Sequence, residues 1–164
     1  MTILGIDPGS SITGFGIISA DRGRLAFVAA GALRVGRSGD LPARLRRAAD
    51  GVRDLILEHA PDEVCVERVF QHANVHSALV LAHVRGAILA EVDRAGLACR
   101  EYTALQIKKA LVGQGHAAKE QVRSMVQRLL RIHSTGDSLD VSDALAVAIC
   151  HAHAGPGLRR WEQG

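Results

Sequence analysis

The chain has 164 residues, 48% of them hydrophobic and 23% charged, which suits one domain with its own core and excludes a disordered segment. Its net charge of +3 and pI near 9.1 allow a polyanionic partner without demanding one. No uninterrupted run approaches the roughly 20 apolar residues that cross a bilayer, and no basic segment with an apolar signal core opens the chain, so a cytoplasmic protein is expected. Cys65, Cys99 and Cys150 are far apart among apolar neighbours and read as small buried hydrophobes, with no zinc-binding spacing around them.

In chain order, Ile3–Asp7 and Thr13–Ser19 read as strands around a "DPGSS" turn. Pro8 disfavours helix at Asp7, and Gly9 permits a tight bend. Arg24–Val35 completes an antiparallel meander. Apolar Leu41, Leu45, Ala48, Val52 and Ile56 then recur at helical spacing until Pro61. "DEVCVERVF" is short and β-branched, which predicts a buried strand. A long helix is expected from Val75 to Ala95, ending at Gly96. It is apolar on more than one side, through Ala78, Leu79, Leu81, Ala82, Val84, Ile88 and Leu89, so either it is buried all round or one stripe faces a partner subunit. "LACREY" gives a further strand, and helices follow at Leu105–Val112, Lys119–Arg131 and Leu139–Ala152. This order predicts a mixed sheet flanked by helices, with residues 1–153 forming the domain and 154–164 a flexible tail.

Carboxylates fall where they are costly. Asp7 ends the first strand, and Glu67 shares a strand face with Cys65 while Val64 and Val66 point to the other side. Asp140 and Asp143 lie three residues apart on one helix face. Taken singly, each has an ordinary explanation. Asp7 can accept N–H bonds within the turn, and Glu67 can pair with Arg68 or another cation. Asp137, Asp140 and Asp143 can serve as a cap and as first-turn acids, and Asp137 fits that explanation best. Taken together, four converging acids would repel one another into protonation unless a cation joined them. Hard divalent ions such as Mg²⁺ favour oxygen ligands, and two of them about 3.5–4 Å apart can bracket a phosphodiester.

The segments "GIDPGSSITGFG", "ERVF", "GQGHAAKEQV" and "DVSDALAVAI" together resemble the RuvC family of bacterial Holliday junction resolvases. The resemblance runs in order from Thr2 to His153. It implies a ribonuclease H-like fold with a five-stranded mixed sheet, working as a homodimer, and catalytic, metal-binding carboxylates at Asp7, Glu67, Asp140 and Asp143. It also implies Mg²⁺-dependent nicking of a four-way DNA junction, with two ions per site for which Mn²⁺ can substitute. A RuvA/RuvB branch-migration complex is the implied partner. The helix from Val75 is the candidate dimer interface.

Only five aromatics are present, counting three Phe, one Tyr and one Trp, so Phe70 draws notice. It follows the Glu67 strand and precedes the polar loop "QHANVH", a place suited to stacking on an unpaired base, which the resemblance also implies. Lys108, Lys119 and Arg123 are candidate phosphate contacts, Lys119 because it opens a helix. Lys108 and Lys119 are also favoured by the resemblance. Arg44, Arg46, Arg47 and Arg53 read as solvated surface, and none of the eight histidines is given a role. The glycine-rich hairpin also resembles the phosphate-binding hairpin of the actin/hexokinase superfamily, but those proteins need two such domains.

Overall fold

The computed structural model describes residues 1–36, 39–68, 75–134 and 139–154. Three antiparallel strands, β1 (Thr2–Asp7), β2 (Ile12–Asp21) and β3 (Arg24–Arg34), precede helix α1 (Leu41–His59). Strand β4 (Glu63–Arg68), helix α2 (Val75–Arg94) and strand β5 (Cys99–Thr103) follow, then helices α3 (Ala104–Val112), α4 (Lys119–Leu130) and α5 (Leu139–Ala154). The five strands form one mixed sheet in the order β3-β2-β1-β4-β5, with β4 and β5 parallel to β1. This is the expected architecture, and α5 runs two residues further than its sequence pattern suggested.

Local chemistry sets the helix ends. The Asp40 side chain accepts the Ala43 N–H at the start of α1, and Ala60 turns left-handed before Pro61 to stop it. Thr103 caps α3 with Gln106 in a reciprocal capping box. At α4, the Gln121 amide oxygen accepts the Ala118 N–H at 2.9 Å.

The alternation of the strands builds two apolar layers. Leu4, Ile6, Ile17, Val64 and Val66 pack with Ala48, Val52 and Leu55 of α1 and with Val80, Val84, Ile88 and Val92 of α2. Ile3, Ile18, Cys65 and Tyr102 pack on the other face against α3, α4 and α5. Cys65 and Cys150 are buried, Cys99 is half-buried, and all three are free thiols in apolar surroundings, as expected. Burial holds the Cys150 thiol up at about 12.

Helix α5 supplies most of the second layer, with Ala144 through Cys150 buried in succession. It lies unusually close to the sheet. A Cβ on Gly14 would run into the Asp140 backbone, and one on Gly5 would meet Ala144 and Ala148. The absence of a side chain at these two positions, and at Gly16 against Leu145, lets α5 rest directly on β1 and β2.

Helix α2 corrects one expectation. At 20 residues, with hydropathy 1.4 over its most apolar window, it is long and apolar enough to cross a membrane by length and composition. The uninterrupted-run criterion missed it because Arg85 and Glu91 break the run without outweighing its Val, Leu, Ile and Ala. In the fold, Val80, Leu81, Val84, Ile88 and Val92 are buried. The opposite stripe of Val75, Leu79, Ala82, Gly86 and Ala90 is exposed, Val75 at 77% and Leu79 at 56%.

Two arginines read as solvated surface have structural work instead. Arg44 Nη2 donates to the Ser10 carbonyl at 2.5 Å, and Arg47 Nε donates to that of Val35 at 2.9 Å, tying α1 to the first turn and to the end of β3. Arg46 and Arg53 pair with Asp50 at the surface.

Candidate active site

The parallel pairing of β1 with β4 aligns Ile6 with Val66, so Asp7 and Glu67 leave the sheet side by side at the same edge. Both point toward α5, because they alternate with Ile6 and Val66, which point toward α1 and α2. Across the hairpin Asp7 is opposite Gly14, and Gly14 carries the first turn of α5 with Asp140. One helical turn on, Asp143 comes to the same place.

The electrostatics of Asp7 register this crowding. Its carboxyl is pushed up to about 8, first by burial and then by the charges of Glu67, Asp143 and Asp140 in turn. Glu67 is raised as well, by burial and then by Asp143, while a hydrogen bond from Asp7 and the cations Lys119 and Lys108 pull it back. The physical picture is a proton held on Asp7 and shared with Glu67. Asp143 is compensated differently, by the Lys119 ammonium at 3.3 Å, and this pairing raises Lys119 in return. Asp140 also has an interaction partner.

The alternatives weighed for single acids hold in part, since Asp140 is a first-turn acid of α5 and Glu67 is near the cations Lys119 and Lys108. In the first turn, the Gly9 N–H goes to the Thr13 hydroxyl at 3.4 Å. Arg68 turns from Glu67 to Glu101, to which it donates through Nε and Nη2 at 3.2 and 3.0 Å.

The four acids thus share one electrostatic neighbourhood built from β1, β4 and α5. Among the described residues no three Asp, Glu, His or Cys side chains close tightly enough to enclose a cation as they stand. The shared proton and Lys119 take up the repulsion. The donor set still fits a hard divalent ion, since it consists of carboxylate oxygens, contains no thiolate or imidazole, and carries charge that needs neutralising.

Of the nucleic-acid candidates, Lys108 and Lys119 both lie near enough to act on Glu67, from α3 and α4. Arg123 is one turn beyond Lys119 on α4 and is engaged within the fold. Phe70 and Asp137 lie outside the described residues.

Sequence reasoning missed two polar clusters. At the opposite end of the sheet, the half-buried Glu63 accepts from His151 Nε2 at 2.5 Å, and His151 Nδ1 meets the Tyr102 hydroxyl at 2.8 Å. The other joins Arg68, Glu101 and Arg85. The available signal was the presence of Glu101 in a short strand and of His151 at the end of the apolar run of α5, where a polar side chain calls for a partner.

A mixed sheet in this order, with acids from two neighbouring parallel strands and a helix that crosses them, has the architecture of ribonuclease H-like nucleases. Residues 3–151 match the family of crossover junction endodeoxyribonuclease RuvC. The protein of that name from Aromatoleum aromaticum is 51% identical over 155 residues, covering 94% of this chain and 83% of the relative. The one from an Azoarcus species is 50% identical, covering 95% and 84%. Among solved structures, Thermus thermophilus RuvC in complex with Holliday junction substrate superposes with TM-score 0.87 at 29% identity, covering 93% of each chain. The chain belongs to the RuvC family of crossover junction endodeoxyribonucleases.

Proposed function

We propose that this protein resolves Holliday junctions in recombination and DNA repair, nicking two strands of like polarity across a four-way DNA junction in the cytoplasm. The observation that carries the reading is the gathering of Asp7, Glu67, Asp140 and Asp143 from three elements, where burial first and the neighbouring charges next raise Asp7 to about 8. A fold does not maintain such repulsion for its own stability.

Asp7, Glu67, Asp140 and Asp143 are the residues that would hold divalent ions, two per site, with Mg²⁺ the natural occupant and Mn²⁺ a substitute. Such ions, when bound, supply a nucleophilic water and stabilise the leaving oxygen. The chain's own groups do the rest. Asp7 would give up its shared proton to serve as a ligand, and Lys119 would exchange Asp143 for a backbone phosphate near the helix start. Lys108 contributes a second positive charge beside Glu67, and Arg123 extends the basic surface along α4. Water adds across the P–O3′ bond, leaving a 5′-phosphate and a 3′-hydroxyl. Phe70, which follows the Glu67 strand in sequence, stacks on a base unpaired at the crossover.

Two cuts require two sites. The exposed stripe Val75, Leu79, Ala82, Gly86 and Ala90 on α2 is a continuous small-residue apolar face, and we assign it to a two-fold homodimer. The pseudo-two-fold symmetry of a junction then matches the protein, which works with the RuvA/RuvB branch-migration complex. Residues 1–153 carry this activity, Ala154 still belongs to α5, and the tail expected from 154 onward otherwise lies outside the described residues.

The test is incubation with labelled four-way junction, linear duplex and RNA–DNA hybrid, with and without Mg²⁺. Symmetric cutting of the junction alone, only with the metal, is expected. Cutting of the hybrid in preference to the junction would overturn the assignment.

A further inference from the structure

Glu101 lies on β5 opposite Val66, so it projects from the sheet on the α1/α2 side, the face opposite to the acids. There it is only 22% exposed and uses both carboxylate oxygens. Oε2 accepts from Nε and Nη2 of Arg68, at 3.2 and 3.0 Å, while Oε1 accepts from Nη2 of Arg85. Arg68 is the last residue of β4 and directly follows Glu67. Arg85 sits on α2, the helix whose other face is the exposed apolar stripe. One carboxylate therefore grips the end of the strand that carries Glu67 and the helix assigned to the subunit interface.

The arrangement is more than surface decoration. Arg85 is 26% exposed, and its Nε is buried without a hydrogen-bond partner among the described residues. Glu101 thus provides its recorded ion pair in a partly desolvated setting, where removing one partner costs far more than at the surface. A charge stranded there would move α2, β4 or both to reach water.

We propose that Glu101 is a positioning residue that couples α2 to the end of β4, so that association of the two subunits helps set where Glu67 stands. The inference rests on the homodimer reading above. Sub-ångström placement of a reacting group is worth large factors in rate, and a shared mechanical link from the interface to each Glu67 would help both sites become competent in one binding event. Glu101 touches neither substrate nor reacting atoms in this role.

The experiment uses the full-length chain, a supercoiled plasmid that extrudes a cruciform, and Mg²⁺. Glu101→Gln keeps the shape and removes the charge, and Arg85→Gln removes the other end of the link in case the first variant folds poorly. Both should bind junction in Ca²⁺ within about twofold of the parent while cutting roughly tenfold more slowly. They should also accumulate nicked circle over linear product, because the second cut lags the first. Sedimentation of the parent at assay concentration tests the homodimer separately, and a monomer there removes that reading whatever Glu101 does. A parental nicked-to-linear ratio in both folded variants, with only a lowered Tm, overturns the coupling and leaves Glu101 a structural ion pair.

Discussion

The two ends of β4 and α5 treat carboxylates in opposite ways. At one end, β1, β4 and α5 bring Asp7, Glu67, Asp140 and Asp143 into mutual repulsion. At the other end, β4 and α5 meet through Glu63 and His151, with Tyr102 of β5 completing the chain of hydrogen bonds. Glu63 has a donor at 2.5 Å and the imidazole has a partner on each nitrogen, so that end is a strut. The acid end shares a proton between Asp7 and Glu67 and borrows Lys119. This difference, a half-buried Glu63 satisfied at one pole and four acids crowded at the other, supports the proposed reading of the second pole as a cation site.

That contrast can be broken first at the acid pole. Asp7→Asn should reduce junction cleavage by about 10³-fold or more, the scale of losing an electrostatic catalytic element, while junction binding is nearly unchanged. A gel-shift titration beside single-turnover cleavage reads both, and equal loss of the two would remove Asp7 from the chemistry. Chelation of divalent ions should stop cleavage of bound junction in the same way, with recovery on adding Mg²⁺.

Phe70→Ala should slow cleavage by about 5–160-fold, the worth of one stacking contact at about 1–3 kcal/mol. Full parental cutting by this variant would withdraw the stacking assignment.

The strut pole should respond in stability and hardly in chemistry. His151→Phe fills similar space but leaves Glu63 and Tyr102 without their partner, at a cost of about 1–3 kcal/mol in urea unfolding. Its folded fraction should cleave at close to the parental rate at low temperature. A large kcat loss with unchanged stability would contradict the division of labour between the poles.

The smallest effect sharpens the comparison through pH. Asp7 is raised from 3.8 to about 8, so the folded state keeps a proton that the unfolded state has already lost. Its contribution to stability is complete below pH 3.8 and drains away as pH rises toward 8. In chelator, Asp7→Asn should therefore melt with the parent near the acid limit and above it at pH 8, by at least about 2–4 °C. Coincident melting at both pH values would mean that burial and the neighbouring acids do not raise Asp7 in the folded state.

Most of the architecture was legible because it rests on local rules. Alternation located Val64 and Val66 on one side of β4 and Cys65 and Glu67 on the other, and the two apolar layers follow that division. The helix at Leu41 was visible from its apolar period. Its arginines were not legible, since Arg44 and Arg47 reach backbone carbonyls of Ser10 and Val35 that no spacing rule places beside them. The partners of Glu101 and His151 were likewise opaque, because a polar residue on a buried face announces that it needs a partner without saying which.

The sequence by itself determined the elements, the faces of the strands and the short set of acids too costly to be idle. It could do so because side-chain period and burial cost are properties of neighbours along the chain. Only the tertiary structure decided that Asp7, Glu67, Asp140 and Asp143 share one field, since that depends on the parallel register of β1 with β4 and on Gly5 and Gly14 admitting α5 against the sheet. It also decided that Lys119 stands on Asp143 and that Arg68 belongs to Glu101. Those are contacts between residues 24 and 33 positions apart, and their energy comes from a proximity that the chain acquires on folding.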